Sequence, residues 1–361
     1  MRPFIVPVLV LLCGFASTSR AMAGNPFRIT GIAIDSYGKD VTEARQRAIT
    51  AGTVEAAYQL LDRLTLAKDR LALDPPLEIT PQMAEDLVAN IEIANEKRSS
   101  SRYLAQLGVS FDAGRVRAFL RAQNLPFVET QASPALVAAL WDDAQQHGPD
   151  ANTDNPLAEV FARQEFRDDL APVEVARDVN SQAMRRLEEQ ALVMLAQRTG
   201  LNDIVVASAS SIGPGAVRIR AREAHVGANG VDSVQDLGVF EGLAPAGTRP
   251  GAARDVALEM AARQIADVMQ TRWKREAIVH GGQRQSVRLT ALYDNLAQWQ
   301  HLRDALGGVS LVEQARLDAF AADGALLTLT FTGTEEQLAR LLAQKGVVLD
   351  NEDIGLTARM Q

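Results

Sequence analysis

QSVRLTALYDNLAQWQHLRDALGGVSLVEQARLDAFAADGALLTLTFTGTEEQLARLLAQKGVVLD, residues 285–350, decides the fold class. Val287, Leu289, Ala291 and Tyr293 fall at every second position, the period of a strand with one buried face. Residues 294–306 then read as a helix closed by Gly307-Gly308. Residues 309–320 read as a strand, Ala322-Asp323-Gly324 as a turn and residues 326–332 as the returning strand. Thr334 followed by Gln337 is a capping box, in which each side chain satisfies the other residue's otherwise unpaired amide. That helix ends at Gly346, and Val347-Val348-Leu349 is the last strand. The order βαββαβ is the ferredoxin-like arrangement. The expected fold class is therefore α/β in the α+β sense, built of several small mixed-sheet modules, with residues 282–361 as the ferredoxin-like one.

Upstream, residues 181–281 parse as a middle α/β module. Residues 181–198 are expected to be helical, with Met184, Leu187, Ala191 and Leu195 on one face and Gly200 as the stop. Residues 203–208 form a short buried strand, Pro214-Gly215 turns into a second over 216–224, and Asn229-Gly230 is a hairpin signal leading to a third over 231–240. A Pro/Gly-rich loop over 242–251 precedes a long helix over 253–273. Residues 132–180 read as a helical or irregular linker, polar and broken by prolines between Trp141 and Pro156.

Residues 24–131 make the N-terminal α/β module. Residues 28–35 are a strand, and Asp40 caps a long helix with Glu43 as its capping-box partner. Val41, Ala44, Ala48, Ala51, Val54, Tyr58, Leu61 and Leu64 give that helix an apolar stripe whose alanines predict close packing on a sheet. Thr80-Pro81 starts a second helix, with Met83, Leu87 and Ile91 inward. Tyr103, Ala105, Leu107, Val109 and Phe111 alternate as a strand. Asp112 caps a short helix carrying Val116, Phe119 and Leu120, and residues 125–130 are a final strand.

The first 23 residues have the three parts of a Sec signal peptide: Arg2, an apolar run over 4–16, and Ala21-Met22-Ala23 before Gly24. Thirteen apolar residues rise only about 20 Å as a helix, short of the roughly 30 Å of a bilayer core. Cleavage between Ala23 and Gly24 is expected, sending the mature chain to the periplasm and removing Cys13, the single cysteine. It also removes Arg2 and Arg20, taking the net charge from −8 to −10 and arguing against nucleic acid or anionic membrane as partner.

Recognisable catalytic chemistry is missing. His147, His225, His280 and His301 share no i,i+4 spacing, and there is no G-x-S-x-G elbow, S-x-x-K, phosphate loop or dinucleotide fingerprint. Asp150, Asn152 and Asp154 have the spacing that opens a calcium loop, but Asn155 stands where glycine is needed and Phe161 where the closing glutamate belongs. The adjacent pairs Asp142-Asp143, Asp168-Asp169 and Glu188-Glu189 read as solvated surface. Trp299 reads as core. No catalytic, cofactor or metal residue is expected. Arg218, Arg220 and Arg222 share one strand face and could meet an anion or an acidic partner; the wet face of an antiparallel sheet accounts for them more simply.

The chain resembles an uncharacterised family of exported proteobacterial proteins, domain of unknown function family 2066. The likeness lies in residues 40–66 with Ala44-Arg45 and Ala48, in Thr199-Gly200-Leu201-Asn202-Asp203-Ile204-Val205-Val206, and in the closing run 287–349. The resemblance brings no catalytic residue. Modular layout and the leader together lead to an expectation of a non-enzymatic envelope accessory or assembly factor acting through protein–protein contacts. A periplasmic small-ligand-binding protein is the alternative, and a hydrolase the more distant one.

Overall fold

The computed structural model describes residues 24–142, 155–278, 284–309, 311–321, 323–352 and 355–360. The leader and the calcium-type residues Asp150, Asn152 and Asp154 lie outside them. The fold is mixed α/β, with three sheets, one antiparallel and two mixed, and helices packed on each.

The N-terminal module comprises β1 (Arg28–Tyr37), α1 (Val41–Leu64), α2 (Ala67–Leu71), α3 (Pro81–Leu87), β2 (Val88–Arg98), β3 (Arg102–Phe111) and α4 (Ala113–Ala122). Its strands form an antiparallel sheet in the order β1-β3-β2. Asp40 caps α1 by accepting from the Glu43 amide at 2.8 Å, while Glu43 reaches back to the Lys39 amide rather than to that of Asp40. The buried face of α1 runs through Ala44, Ala48, Gly52, Ala56, Leu60 and Leu64. It departs from the expected stripe at Ala51, Val54 and Tyr58, because a glycine carries no hydrophobic signal yet marks where the helix comes nearest the sheet. A Cβ on Gly52 would lie 2.5 Å from Ile34 Cγ2 and 2.9 Å from Leu107 Cδ2.

Two further expectations are corrected here. The helix beginning at Pro81 stops at Leu87, and β2 follows at once as an edge strand with Ile91 exposed. β-Branched Val88, Ile91 and Ile93 suit a strand better than a helix. Residues 125–130 make no strand, only a bridge between Phe127 and Thr65, and Leu125, Phe127 and Val128 fill the core instead.

The middle module contains β4 (Ala135–Asp142), α5 (Pro156–Phe161), α6 (Gln164–Asp168), β5 (Val173–Val175), α7 (Ser181–Arg186), α8 (Glu189–Thr199), β6 (Asp203–Gly213), β7 (Ala216–Gly227), β8 (Gly230–Leu243) and α9 (Pro250–Ala277). The sheet order is β5-β4-β6-β7-β8, parallel from β5 to β6 and antiparallel beyond. The presumed linker thus supplies an inner strand. Leu136, Ala138 and Leu140 face the α8 side, while Ala135, Val137 and Ala139 face α5 and α9. A strand covered on both faces is apolar at every position, so it shows no alternation to read. The helix expected over 181–198 is broken at Leu187, whose φ of 54° puts a left-handed turn between α7 and α8. Gly200, at φ 75°, ends α8 as expected.

The C-terminal module consists of β9 (Arg284–Leu292), α10 (Leu296–Gly307), β10 (Val312–Phe320), β11 (Gly324–Thr332), α11 (Glu335–Ala343), β12 (Val347–Glu352) and β13 (Gly355–Met360). The βαββαβ order is present, with one strand added. Sheet order is β10-β11-β9-β13-β12, so β13 takes the position beside β9, parallel to it, and β12 moves to the edge. Both hydrogen bonds of the Thr334–Gln337 capping box are made. Trp299 packs in the core against Tyr293 and Phe320. Among the described residues no helix is long and apolar enough to cross a membrane.

Candidate functional site

Helix α9 has 28 residues and is about 42 Å long. Leu258, Ala261, Ala262, Ile265 and Met269 cover the middle sheet, whereas Trp273 and Ala277 join the apolar core shared by the N- and C-terminal modules. Beside them lies Lys274, only 8% exposed. Its ammonium donates to the carbonyls of Asp62, at 2.6 Å, and Thr65, at 3.0 Å. These carbonyls belong to the C-terminal end of α1, where the helix dipole and unpaired acceptors favour a cation. Trp273 donates from Nε1 to the Thr130 carbonyl at 2.8 Å. Burial pushes the Lys274 pKa down from its ordinary value.

A second buried cation lies close by. Arg63 donates to the carbonyls of Pro26, at 3.1 Å, and Arg28, at 2.7 Å, and pairs with Asp169 at 2.9 Å. Desolvation lowers the Arg63 pKa and raises that of Asp169, which is the mark of a pair taken out of water. Arg70 ties the same helix end together through Asp62 and through Thr65 Oγ1 at 2.8 Å. These groups line a cleft of about 590 Å³ between α1 and α9, with Arg263, Asp267 and Arg275 on its wall. Burial pushes the Asp267 carboxyl up. Cationic side chains on the lining outnumber carboxylates, in a chain that is acidic overall. Arg63 and Arg70 are largely spent on main-chain carbonyls of their own module, whereas Lys274 and the Arg63–Asp169 pair join the N-terminal module to the middle one.

Asp168 and Asp169, expected at the surface, are both buried, because α6 is wedged between β1 and the middle sheet. No local pattern marks Arg63, Asp169, Trp273 or Lys274 as partners, since they meet from distant parts of the chain. The one available signal was a lysine on the buried side of α9 among Ala266, Gln270 and Ala277.

A cleft of about 440 Å³ lies where the middle sheet meets α9 and Gln344. Asp203, His225 and Ser233 stand in one row across β6, β7 and β8. Asp203 Oδ1 is 2.6 Å from His225 Nδ1, and this hydrogen bond raises the His225 pKa. Both side chains are more than a third exposed, so water is not kept from the row, and a surface ion pair accounts for it. The raised value means that the pair's stabilisation is complete below the unfolded pKa of His225 and is lost as pH rises through the folded one. Asp203→Asn should therefore move the His225 titration, followed by NMR, back toward 6.5 while changing stability by less than about 1 kcal/mol. An unmoved titration would refute the pairing.

Arg218, Arg220 and Arg222 share a face, as their spacing requires, but do not converge on one point. Arg218 pairs with Glu241 at 2.7 Å, Arg220 with Asp236 at 2.7 Å, and Arg222 donates to the Arg185 carbonyl. Helices α7 and α8 cover the sheet only as far as Ala224 and Val226. Beyond Arg222 that face is open, and Ile212, Val239 and Leu243 are exposed there. The described residues contain no group of three or more histidine, cysteine or acidic side chains placed to hold a metal ion.

No protein-family model matches the chain, and neither does any curated protein. Among solved structures, a formyltetrahydrofolate deformylase from Pseudomonas putida aligns over 68% of this chain and 94% of its own, at 10% identity and a TM-score of 0.23. That likeness is too slight to carry any inference about fold or activity.

Proposed function

We propose that this is an exported, periplasmic protein that acts without catalysis, as an accessory factor docking an extended segment of another envelope protein. It would belong with the uncharacterised exported family that its sequence resembles. The observation carrying this reading is the open end of the middle sheet. Strand β8 has 14 residues and ends the sheet order, so its outer edge pairs with no strand among the described residues, and there the Glu241 carbonyl accepts from the Gln264 side chain of α9 at 2.9 Å. Val239 is 54% and Leu243 66% exposed along it. Natural edge strands are usually short, covered or heavily charged, whereas a long one with exposed apolar side chains is a template for an added strand. The Arg218–Glu241 and Arg220–Asp236 pairs beside it would set the partner's register. The experiment is photo-crosslinking in whole cells from a probe at residue 241, with a probe on the β12 edge as control. A discrete adduct from residue 241 alone, lost in Val239→Asp/Leu243→Asp, is the expected result. Equal labelling from both edges, or none, would defeat the reading.

Small-ligand binding is the second reading, favoured by the cleft between α1 and α9 and by Asp267 on its wall. A thermal-shift screen with periplasmic metabolites separates the two, since a saturable rise in melting temperature belongs only to ligand binding.

A further inference from the structure

Asp168 is 1% exposed. Its Oδ1 accepts from the Asn25 amide and from the Gln164 side-chain amide, both at 2.9 Å. Its Oδ2 is equally buried and has no hydrogen-bond partner among the described residues. A carboxylate oxygen removed from water demands a donor, and a charged one above all. The neighbouring cations are engaged elsewhere. Arg63, from α1, holds Asp169 and the carbonyls of Pro26 and Arg28. Arg167, from α6, turns onto Gln164 and the Ala162 carbonyl.

Gly24 packs against the main chain that carries this carboxylate. It immediately precedes the amide that Oδ1 binds, so its own nitrogen is one residue away, a Cα step of about 3.8 Å. The fit is tight. A Cβ at position 24 would collide with the Arg167 carbonyl and come within 2.9 Å of the Asp168 Cα. Main chain forms that wall, so it cannot swing aside as a side chain would, and only glycine lets residue 24 approach so closely.

We propose that Asp168 is the receptor for a primary ammonium, the α-amino group created at Gly24 when the leader is cut after Ala23. The inference rests on the cleavage site read from the sequence. Hydrolysis of the Ala23–Gly24 bond consumes one water, leaves a carboxylate on Ala23 and frees an amine on Gly24 that takes up a proton near neutral pH. The ammonium then donates to Asp168 Oδ2 and to the Arg167 carbonyl. An amide nitrogen in the uncut chain brings no charge, so the ion pair exists only after processing. It pins the start of the N-terminal module to α6 of the middle module, and maturation thereby tightens a joint between modules. The requirement for glycine at position 24 follows from the same geometry.

The test compares full mature chains made to begin at Gly24, with the amine either free or acetylated, in the wild-type and Asp168→Asn backgrounds. The free-amine wild type is expected to melt at least about 2 °C above its acetylated form. That gap should close in Asp168→Asn. The Gly24 amine should also react at least about tenfold more slowly with an amine-directed reagent in the folded than in the unfolded chain, because a buried ion pair withholds the nucleophilic amine. Equal melting temperatures, or a gap that survives Asp168→Asn, would overturn the proposal. Should Asp168→Asn fail to fold, the reaction rates of the wild-type amine decide alone. The mass of the protein recovered from the periplasm reports the cleavage site separately: a mature chain starting anywhere but Gly24 removes the ligand and ends the proposal, whereas docking at β8 is untouched by either result.

Discussion

Asp169→Leu should cost the protein about 3–5 kcal/mol, and pairing it with Arg63→Met should restore most of the loss. Arg63 and Asp169 have side chains only 10% and 7% exposed and lie 2.9 Å apart. Removing the carboxylate leaves a guanidinium out of water with two carbonyls as its remaining partners. Removing both charges leaves a methionine and a leucine of similar bulk and strands neither member of the pair as an unpaired buried charge, at the cost of the bonds to Pro26 and Arg28. The sign of the pH dependence is fixed as well. Burial holds the Asp169 carboxyl above its ordinary 3.8, so the folded chain keeps that proton more tightly than the unfolded one. Its contribution is therefore complete in acid, below the unfolded value, and is lost as pH climbs through the folded value. Urea unfolding of the four chains of the cycle gives the coupling energy. A double variant as unstable as the worse single one would show that the pair is not the joint described above.

Gly52→Leu should be comparably severe, at about 3 kcal/mol, through overpacking rather than loss. Glycine normally weakens a helix interior by about 1 kcal/mol relative to alanine, so substitution at an exposed site would help. At position 52 the first added carbon already meets Ile34 and Leu107, both buried in the face that α1 covers. The remaining leucine atoms have nowhere to go unless α1 lifts off β1 and β3. Gly52→Ala should fall between the two, its propensity gain opposing a smaller clash. Thermal unfolding followed by circular dichroism ranks the three chains, and an alanine or leucine variant more stable than wild type would refute the close approach.

Periodic, one-sided elements were legible in the sequence. Tyr103 to Phe111 alternates because one face of β3 meets α1 and the other meets water, and the Thr334–Gln337 box announced α11 from two residues alone. Elements without a wet face were not. Ala135 to Leu140 is apolar throughout, since helices lie on both sides of β4, and an unbroken apolar run beside a polar segment passed for linker. β2 was missed for the opposite reason, being an edge strand with few inward residues to set a period. Of the charged groups, Arg218, Arg220 and Arg222 could be placed because spacing along one strand is local. Arg63 and Asp169 could not, because their meeting depends on how α1, α6 and α9 come together.

One helix serves two cores. The early turns of α9 roof the middle sheet, and its final turns plug the hollow between the outer modules. Three sheets that look like beads on a string therefore share a rafter, and a break on either side of it would strip the roof from one room or the end wall from its neighbours. A load placed on one end of such a beam would bear on both rooms it covers.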